Sequence, residues 1–215
     1  LREAETEVKD LLEWTSLRGS PIFLVNAMDP EDSGTAALQQ HLQDTAMQMS
    51  ARQGEGLFRL AIDRAFTLTG HGTVVTGTVF SGAISVGDIV HVMPRNFAAR
   101  VRSIYAQNRP SERGFEGQRC AINLAGVEKS ALSRGDWVGD PRILVSTRRV
   151  DVRLQLLANC GVRLATWSSV HVHIATAECP ARVVLLETEN LAAGESTLAQ
   201  LVLETAICAL PGDRF

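Results

Sequence analysis

Two hydrophobic periods divide the chain. In the head, Leu1, Ala4, Val8, Leu11 and Leu12 recur at helical spacing, with Glu3, Glu5, Glu7 and Asp10 between them. After Pro21, the run Ile22-Phe23-Leu24-Val25 predicts a short buried parallel strand. Ser33-Gly34-Thr35 then leads into a second helical stretch through Leu38 and Leu42. This helix–strand–helix order is too short to close a sheet, and reads as the end of a larger α/β domain whose beginning is missing. A chain that opens on Leu1 instead of methionine fits a fragment.

From Leu57 the period drops to two. Phe58, Leu60 and Ile62 alternate with Arg59, Ala61 and Asp63, and Thr73 to Phe80 is a β-branched run. Ile89, His91 and Met93 alternate with Val90 and Val92, and further strands are expected at 99–105, 118–124 and 136–138. Gly70, Gly72, Gly82, Gly87, Gly117 and Gly135 punctuate these runs at turns. Many short strands at this spacing predict a small antiparallel barrel. Beyond Arg148-Arg149, Val150, Val152, Leu154 and Leu156 alternate cleanly, and strands follow near 169–176, 181–187 and 198–205. This second all-β unit stops at Asp213-Arg214-Phe215, where a barrel would still want closing strands. The expected fold is mainly β: two barrels, the second truncated, preceded by the end of an α/β domain. The expected segments are 1–48 for the head, 49–56 for a Gly-rich linker, 57–142 for the first barrel and 143–215 for the second.

Composition narrows the class. The 215 residues are 45% hydrophobic and 21% charged, values of a globular chain and not of a disordered one. No apolar run approaches the roughly 20 residues of a membrane span, so no membrane role is expected. Four cysteines at 120, 160, 179 and 208 form no CxxC and suggest reduced thiols of a cytoplasmic protein. The net charge of −3 hides an acidic head (4 basic, 10 acidic residues in 1–55) and a basic middle (10 and 7 in 56–140). Only Lys9 and Lys129 are lysines, and arginine prefers planar partners such as phosphate and carboxylate.

Catalytic and metal motifs are sparse. His171-x-His173 with Cys179 nearby lacks a fourth zinc ligand at a recognisable spacing, so no metal is expected. Gly70-His71-Gly72 has no following Lys-Ser/Thr and no helix after it, and reads as a turn, not a phosphate loop. Ser and His are scattered across separate units, and no nucleophile–base–acid set stands out.

The stretch Ile62-Asp63-Arg64-Ala65-Phe66 through Gly70-His71-Gly72-Thr73-Val74-Val75-Thr76-Gly77-Thr78-Val79 resembles the opening of the second domain of translational GTPases. Ser81 to Asp88, Gly117 to Gly126 and Arg134-Gly135-Asp136-Trp137-Val138 fit the same superfamily at the expected spacing. The resemblance covers essentially the whole chain, the head corresponding to the end of the G domain and the two β units to EF-Tu-like domains II and III. Its details look most like the SelB-type selenocysteine-specific elongation factors. EF-Tu-like chains carry an acidic pair before the aromatic where this chain reads Asp63-Arg64-Ala65-Phe66, and a neutral or amide side chain where it has Arg119. Val170 to Ala177 and Ala181 to Leu186 likewise resemble SelB domain III.

The resemblance implies an aminoacyl pocket at Asp63, Arg64 and Arg119. A selenol is more acidic than a thiol, so a selenocysteinyl group carries a selenolate near neutral pH, and fixed arginines suit that anion. Without the resemblance, the same three residues read as exposed strand-end charges. The family also places a guanine-contacting loop where Asn26-Ala27 stand, with asparagine here in place of serine, and tRNA-backbone contacts fall on Arg148, Arg149 and Arg153. GTP and Mg belong to the intact protein, which would be a GTPase; none is expected in this fragment, which lacks the phosphate loop. The implied partners are selenocysteinyl-tRNA, the ribosome at a recoded UGA codon, and an mRNA hairpin through a missing C-terminal domain. The alternatives are an EF-Tu-like general aminoacyl-tRNA carrier and a β-barrel interaction module without an RNA role.

Overall fold

A computed structural model of the chain describes residues 2–48, 56–70 and 72–215. The linker expected at 49–56 lies outside the described residues except for Gly56, as does His71. The chain packs as two compact units, one of Leu1–Ala51 with Gln155–Arg163 and Ala192–Glu195, the other of the remainder.

In the first unit, α1 (Arg2–Leu12) carries acidic residues in its first turn, where the helix dipole favours them, and a Lys9–Glu5 pair one turn apart. The helix α2 (Ser33–Gln48) starts at Asp32, whose Oδ2 accepts the Thr35 N–H at 2.6 Å and the Thr35 hydroxyl at 2.8 Å. Those bonds, with one from the Asn26 N–H, hold the Asp32 carboxyl below its ordinary pKa. The strand expected over 22–25 does not form: no ladder takes up the segment, and Leu24 and Val25 are about half exposed. An apolar β-branched run becomes a strand only when a neighbouring ladder accepts its backbone groups, and the described residues of the head supply none.

The second unit begins with β1 (Arg59–Leu68), β2 (Gly72–Ser81), β3 (Ala83–Ser85), β4 (Ile89–Met93) and β5 (Phe97–Ala106). It continues through β6 (Arg109–Ser111), β7 (Arg113–Phe115), β8 (Arg119–Ala125) and β9 (Trp137–Gly139). All ladders are antiparallel, in the order β4-β9-β1-β2-β8-β5, and β5 pairs back onto β4 to close a six-stranded barrel. Closure removes the free edges that a flat sheet of this length would expose. Alternation fills the interior with Leu60, Ile62, Val75, Val92, Ile104 and Ile122, each 1% exposed or less. Every such side chain contributes roughly 1.5–3 kcal/mol of burial.

The following strands are β10 (Ser146–Gln155), β11 (Leu164–Ala165), β12 (Ser169–Ile174), β13 (Ala177–Leu185), β14 (Asn190–Leu191) and β15 (Ser196–Cys208). They form a four-stranded sheet in the order β10-β15-β13-β12 and a small β11-β14 ladder. The short strands at 83–85, 109–115, 164–165 and 190–191 carry too few alternating residues to stand out in the sequence. The two β assemblies of this unit touch through Ala61, Met93 and Trp137 from the barrel, Leu144 from the connection and Cys208 from β15. All four cysteines are free, and burial beside the Asp136 carboxylate pushes the Cys208 thiol up to about 11. Among the described residues, no helix is long and apolar enough to cross a membrane.

Candidate functional site

The chemistry gathers on the outer wall of the barrel, where β1, β2 and β8 run side by side. The β1–β2 register slips between Ile62, opposite Gly77, and Arg64, opposite Thr76, which leaves Asp63 as the extra residue of a bulge. A bulge bends the strand and re-aims its side chain. Here the Asp63 carboxylate reaches across β2 towards Arg119, the first residue of β8, paired with Thr78.

The contact is dense. Arg119 Nη2 donates to Asp63 Oδ2 at 2.9 Å and to Oδ1 at 3.0 Å, and Nε donates to Oδ2 at 3.2 Å. Between the two strands, the buried Thr76 hydroxyl donates to Asp63 Oδ1 at 2.5 Å and accepts from Arg119 Nη2 at 3.3 Å. Arg119 keeps 53% of its side chain exposed and Asp63 25%, so the pair remains open to a ligand. Arg64 is exposed and makes no hydrogen bond or ion pair with the described residues. The three charged groups sum to +1, and Arg64 supplies the charge that no neighbour neutralises. Such a site is suited to an anion at Arg64 and the exposed side of Arg119, whose orientation Asp63 sets.

Sequence reading named three of these four residues and missed Thr76. Its signal was weak: one hydroxyl in a β-branched run, whose neighbours on β1 and β8 lie 13 and 43 residues away.

The other candidates sit apart from this cluster. In the head unit, Asn26 Oδ1 accepts the Met28 N–H at 3.2 Å, its carbonyl accepts the Asp29 N–H, and its own N–H donates to Asp32. Those groups are thus spent on the loop leading into α2. Arg148, Arg149 and Arg153 are exposed on β10, an edge strand, and Arg153 lies within electrostatic range of Glu187. His171 Nδ1 meets Glu178 Oε1 at 3.3 Å on the outer face of the second sheet, while Cys179 is buried on the inner face against the Thr205 hydroxyl at 3.1 Å. Among the described residues, no three His, Cys, Asp or Glu side chains converge as a metal site would require.

Residues 72–139 match the family "Elongation factor Tu domain 2", and residues 147–215 match "Selenocysteine-specific elongation factor, beta-barrel domain". The chain is 38% identical over 213 residues to the selenocysteine-specific elongation factor of Escherichia coli K12, covering 99% of this chain and 32% of that protein. It is 31% identical to elongation factor Tu 2 of Streptomyces avermitilis, over 97% of this chain and 56% of that protein. The crystal structure of translation elongation factor SelB from Methanococcus maripaludis superposes with a TM-score of 0.81 at 24% identity, over 99% of this chain and 49% of that one. The barrel and its companion sheet are therefore those of a translation elongation factor. More narrowly, the chain belongs to the SelB-type, selenocysteine-specific branch. It spans about a third of the length of the bacterial SelB-type relative.

Proposed function

We propose that this chain carries the aminoacyl-binding part of a factor that delivers selenocysteinyl-tRNA to the ribosome at recoded UGA codons. The supporting observation is the arrangement of an uncommitted Arg64 beside the Asp63–Thr76–Arg119 cluster on the barrel wall. Arg64 faces the selenolate. Arg119 faces it too, through the half of its side chain left in solvent, and the Asp63 carboxylate, held by the Thr76 hydroxyl, orients that guanidinium. A charge-assisted hydrogen bond of this kind contributes about 1.5–3 kcal/mol, enough to separate a selenolate from a neutral hydroxyl by an order of magnitude or more. The exposed arginines of β10 extend the basic surface towards the tRNA backbone, where such contacts position without reading sequence.

GTP with its Mg ion, the ribosome and an mRNA hairpin are partners of the whole factor in this reading. The described residues do not themselves fit a nucleotide. The chain contains no glycine-rich phosphate loop, and the Asn26 side-chain oxygen, carbonyl and N–H are satisfied inside their own loop. A guanine contact at Asn26–Ala27 would fall to the Ala27 N–H and the Asn26 amide nitrogen. The segments 1–48, 57–142 and 143–215 are read as the end of the GTPase domain, domain II and domain III.

Ester-bond protection in the full-length factor with GTP tests the reading. Selenocysteinyl-tRNA is compared with the seryl form on the same tRNA body, and selective protection of the former is expected. Arg119→Ala should weaken binding of the selenocysteinyl form about tenfold more than that of the seryl form. Equal losses would remove the selenolate pocket. Equal protection of both forms by the unmodified factor would favour the second reading, a general aminoacyl-tRNA carrier, to which the match with elongation factor Tu 2 also leads.

A further inference from the structure

We propose that Thr176, in a turn of the second β assembly, is a positioning residue for Asp63, so that amino-acid selectivity depends on both assemblies and not on the barrel alone. The proposal rests on the pocket reading above. Thr176 and Ala175 form the two-residue turn between β12 and β13. The half-buried Thr176 Oγ1 donates to the Ile62 carbonyl at 2.8 Å, 114 residues away. That carbonyl also accepts the Gly135 N–H at 3.1 Å. It belongs to the peptide group joining Ile62 to Asp63, the one that opens the bulge. Rotation of this peptide plane would swing the Asp63 carboxylate relative to Arg119 and Thr76. Because a bulge interrupts the ladder, the orientation of this group depends on donors from outside the β1–β2 pairing.

Independent features show that the turn is held against this point. Ala175 adopts φ +50°, a left-handed conformation that side chains other than glycine rarely occupy and that persists where the surroundings impose it. Arg134 Nε donates to the Thr176 carbonyl at 3.3 Å. Gly135, at φ +93°, approaches so closely that a Cβ there would stand 2.9 Å from the Ala177 Cα. The loop is braced in turn: Asp136 Oδ2 accepts the Ser133 N–H at 2.8 Å and Arg95 Nε at 3.0 Å, and the Asp136 carbonyl accepts the Ile62 N–H at 2.9 Å. Both backbone polar groups of Ile62 are therefore set by the loop at 133–136 and the turn at 175–176.

The test uses the full-length factor with GTP and compares protection of selenocysteinyl- and seryl-tRNA. Thr176→Val keeps the shape and removes the donor. It is expected to lower the selenocysteinyl-to-seryl ratio roughly threefold to tenfold, the value of one hydrogen bond. Thr176→Ala should do the same, and Thr176→Ser, which restores a hydroxyl, should recover most of the ratio. Melting temperatures of all three are measured alongside. A ratio unchanged in Thr176→Val and Thr176→Ala, or a loss that Thr176→Ser does not rescue, overturns the positioning role, whatever the melting temperatures do. Arg119→Ala separates the two ideas. If it changes the ratio and the Thr176 variants do not, only the positioning role falls. If it too leaves the ratio unchanged, the pocket reading and this inference fall together.

Discussion

Two arginine–aspartate pairs lie on the same barrel and use the same forked geometry, yet they do different work. Arg59 on β1 gives Nη1 and Nη2 to the two oxygens of Asp213 at 2.9 and 2.7 Å, and each side chain is only 13% exposed. Its guanidinium lies 5.2 Å from the Trp137 ring and 5.6 Å from Phe80, so aromatic faces replace the water it has lost. Arg119 and Asp63 make a comparable set of bonds in the open, with half of the arginine in solvent. Enclosure decides the role. The first pair ties the C-terminal segment to the barrel and has no room for a ligand, whereas the second can exchange its partners at little cost.

The sharpest way to break that comparison is to remove each arginine in turn. Arg59→Ala strands the Asp213 carboxylate in a largely dry site and deletes two cation–ring contacts. A broken enclosed pair costs about 3–5 kcal/mol. For a chain of this size that corresponds to a fall in melting temperature on the order of 10 °C. Calorimetry of the 215-residue chain measures it, and a fall of under about 2 °C would show that the enclosed pair is no stronger than a surface one.

This latch also marks the limit of what a sequence discloses. The barrel strands were legible because inward and outward positions alternate from Leu60 to Leu124, and a closed barrel needs little else. Asp63, Arg64 and Arg119 were legible only through the resemblance, since two charges at a mid-strand bulge and one at the start of a strand 56 residues on have no local pattern. Arg59 and Asp213 are 154 residues apart, and Thr176 and Ile62 are 114 apart. No periodicity links such positions, so contacts between the assemblies stayed invisible. The head shows the converse failure. Ile22 to Val25 have strand composition without a strand, because β propensity is expressed only where a ladder exists to receive it.

Acid should separate the pairs next, with a smaller effect than deletion, because only the carboxylate half is titrated. Burial works to raise the Asp213 carboxyl, but hydrogen bonds from Arg59 and the Leu210 N–H outweigh it and leave the group below its ordinary value. The unfolded chain therefore binds the proton more readily, and stability rises with pH across this range. The contribution is complete above the unfolded carboxylate pKa of about 3.9 and is lost as the pH falls below it, through the native value. Urea unfolding between pH 5 and pH 3 should show a steeper loss for the unmodified chain than for Asp213→Asn. Parallel slopes would mean that the pair is not intact in solution.

The smallest effect on stability should come from the open pair, and its smallness carries the argument. Arg119→Ala removes three hydrogen bonds to Asp63 but leaves that carboxylate hydrated and still bonded to the Thr76 hydroxyl. An exposed pair is worth about 0.2–1 kcal/mol and is screened by salt. The melting temperature should therefore fall by no more than about 4 °C, and by less at 0.5 M salt than at 0.05 M. A loss as large as that of Arg59→Ala would show that Arg119 is a structural strut, and a strut is not free to receive an incoming selenolate. A small, salt-sensitive loss together with a large drop in selenocysteinyl preference is the combination expected of a pair held open for a ligand.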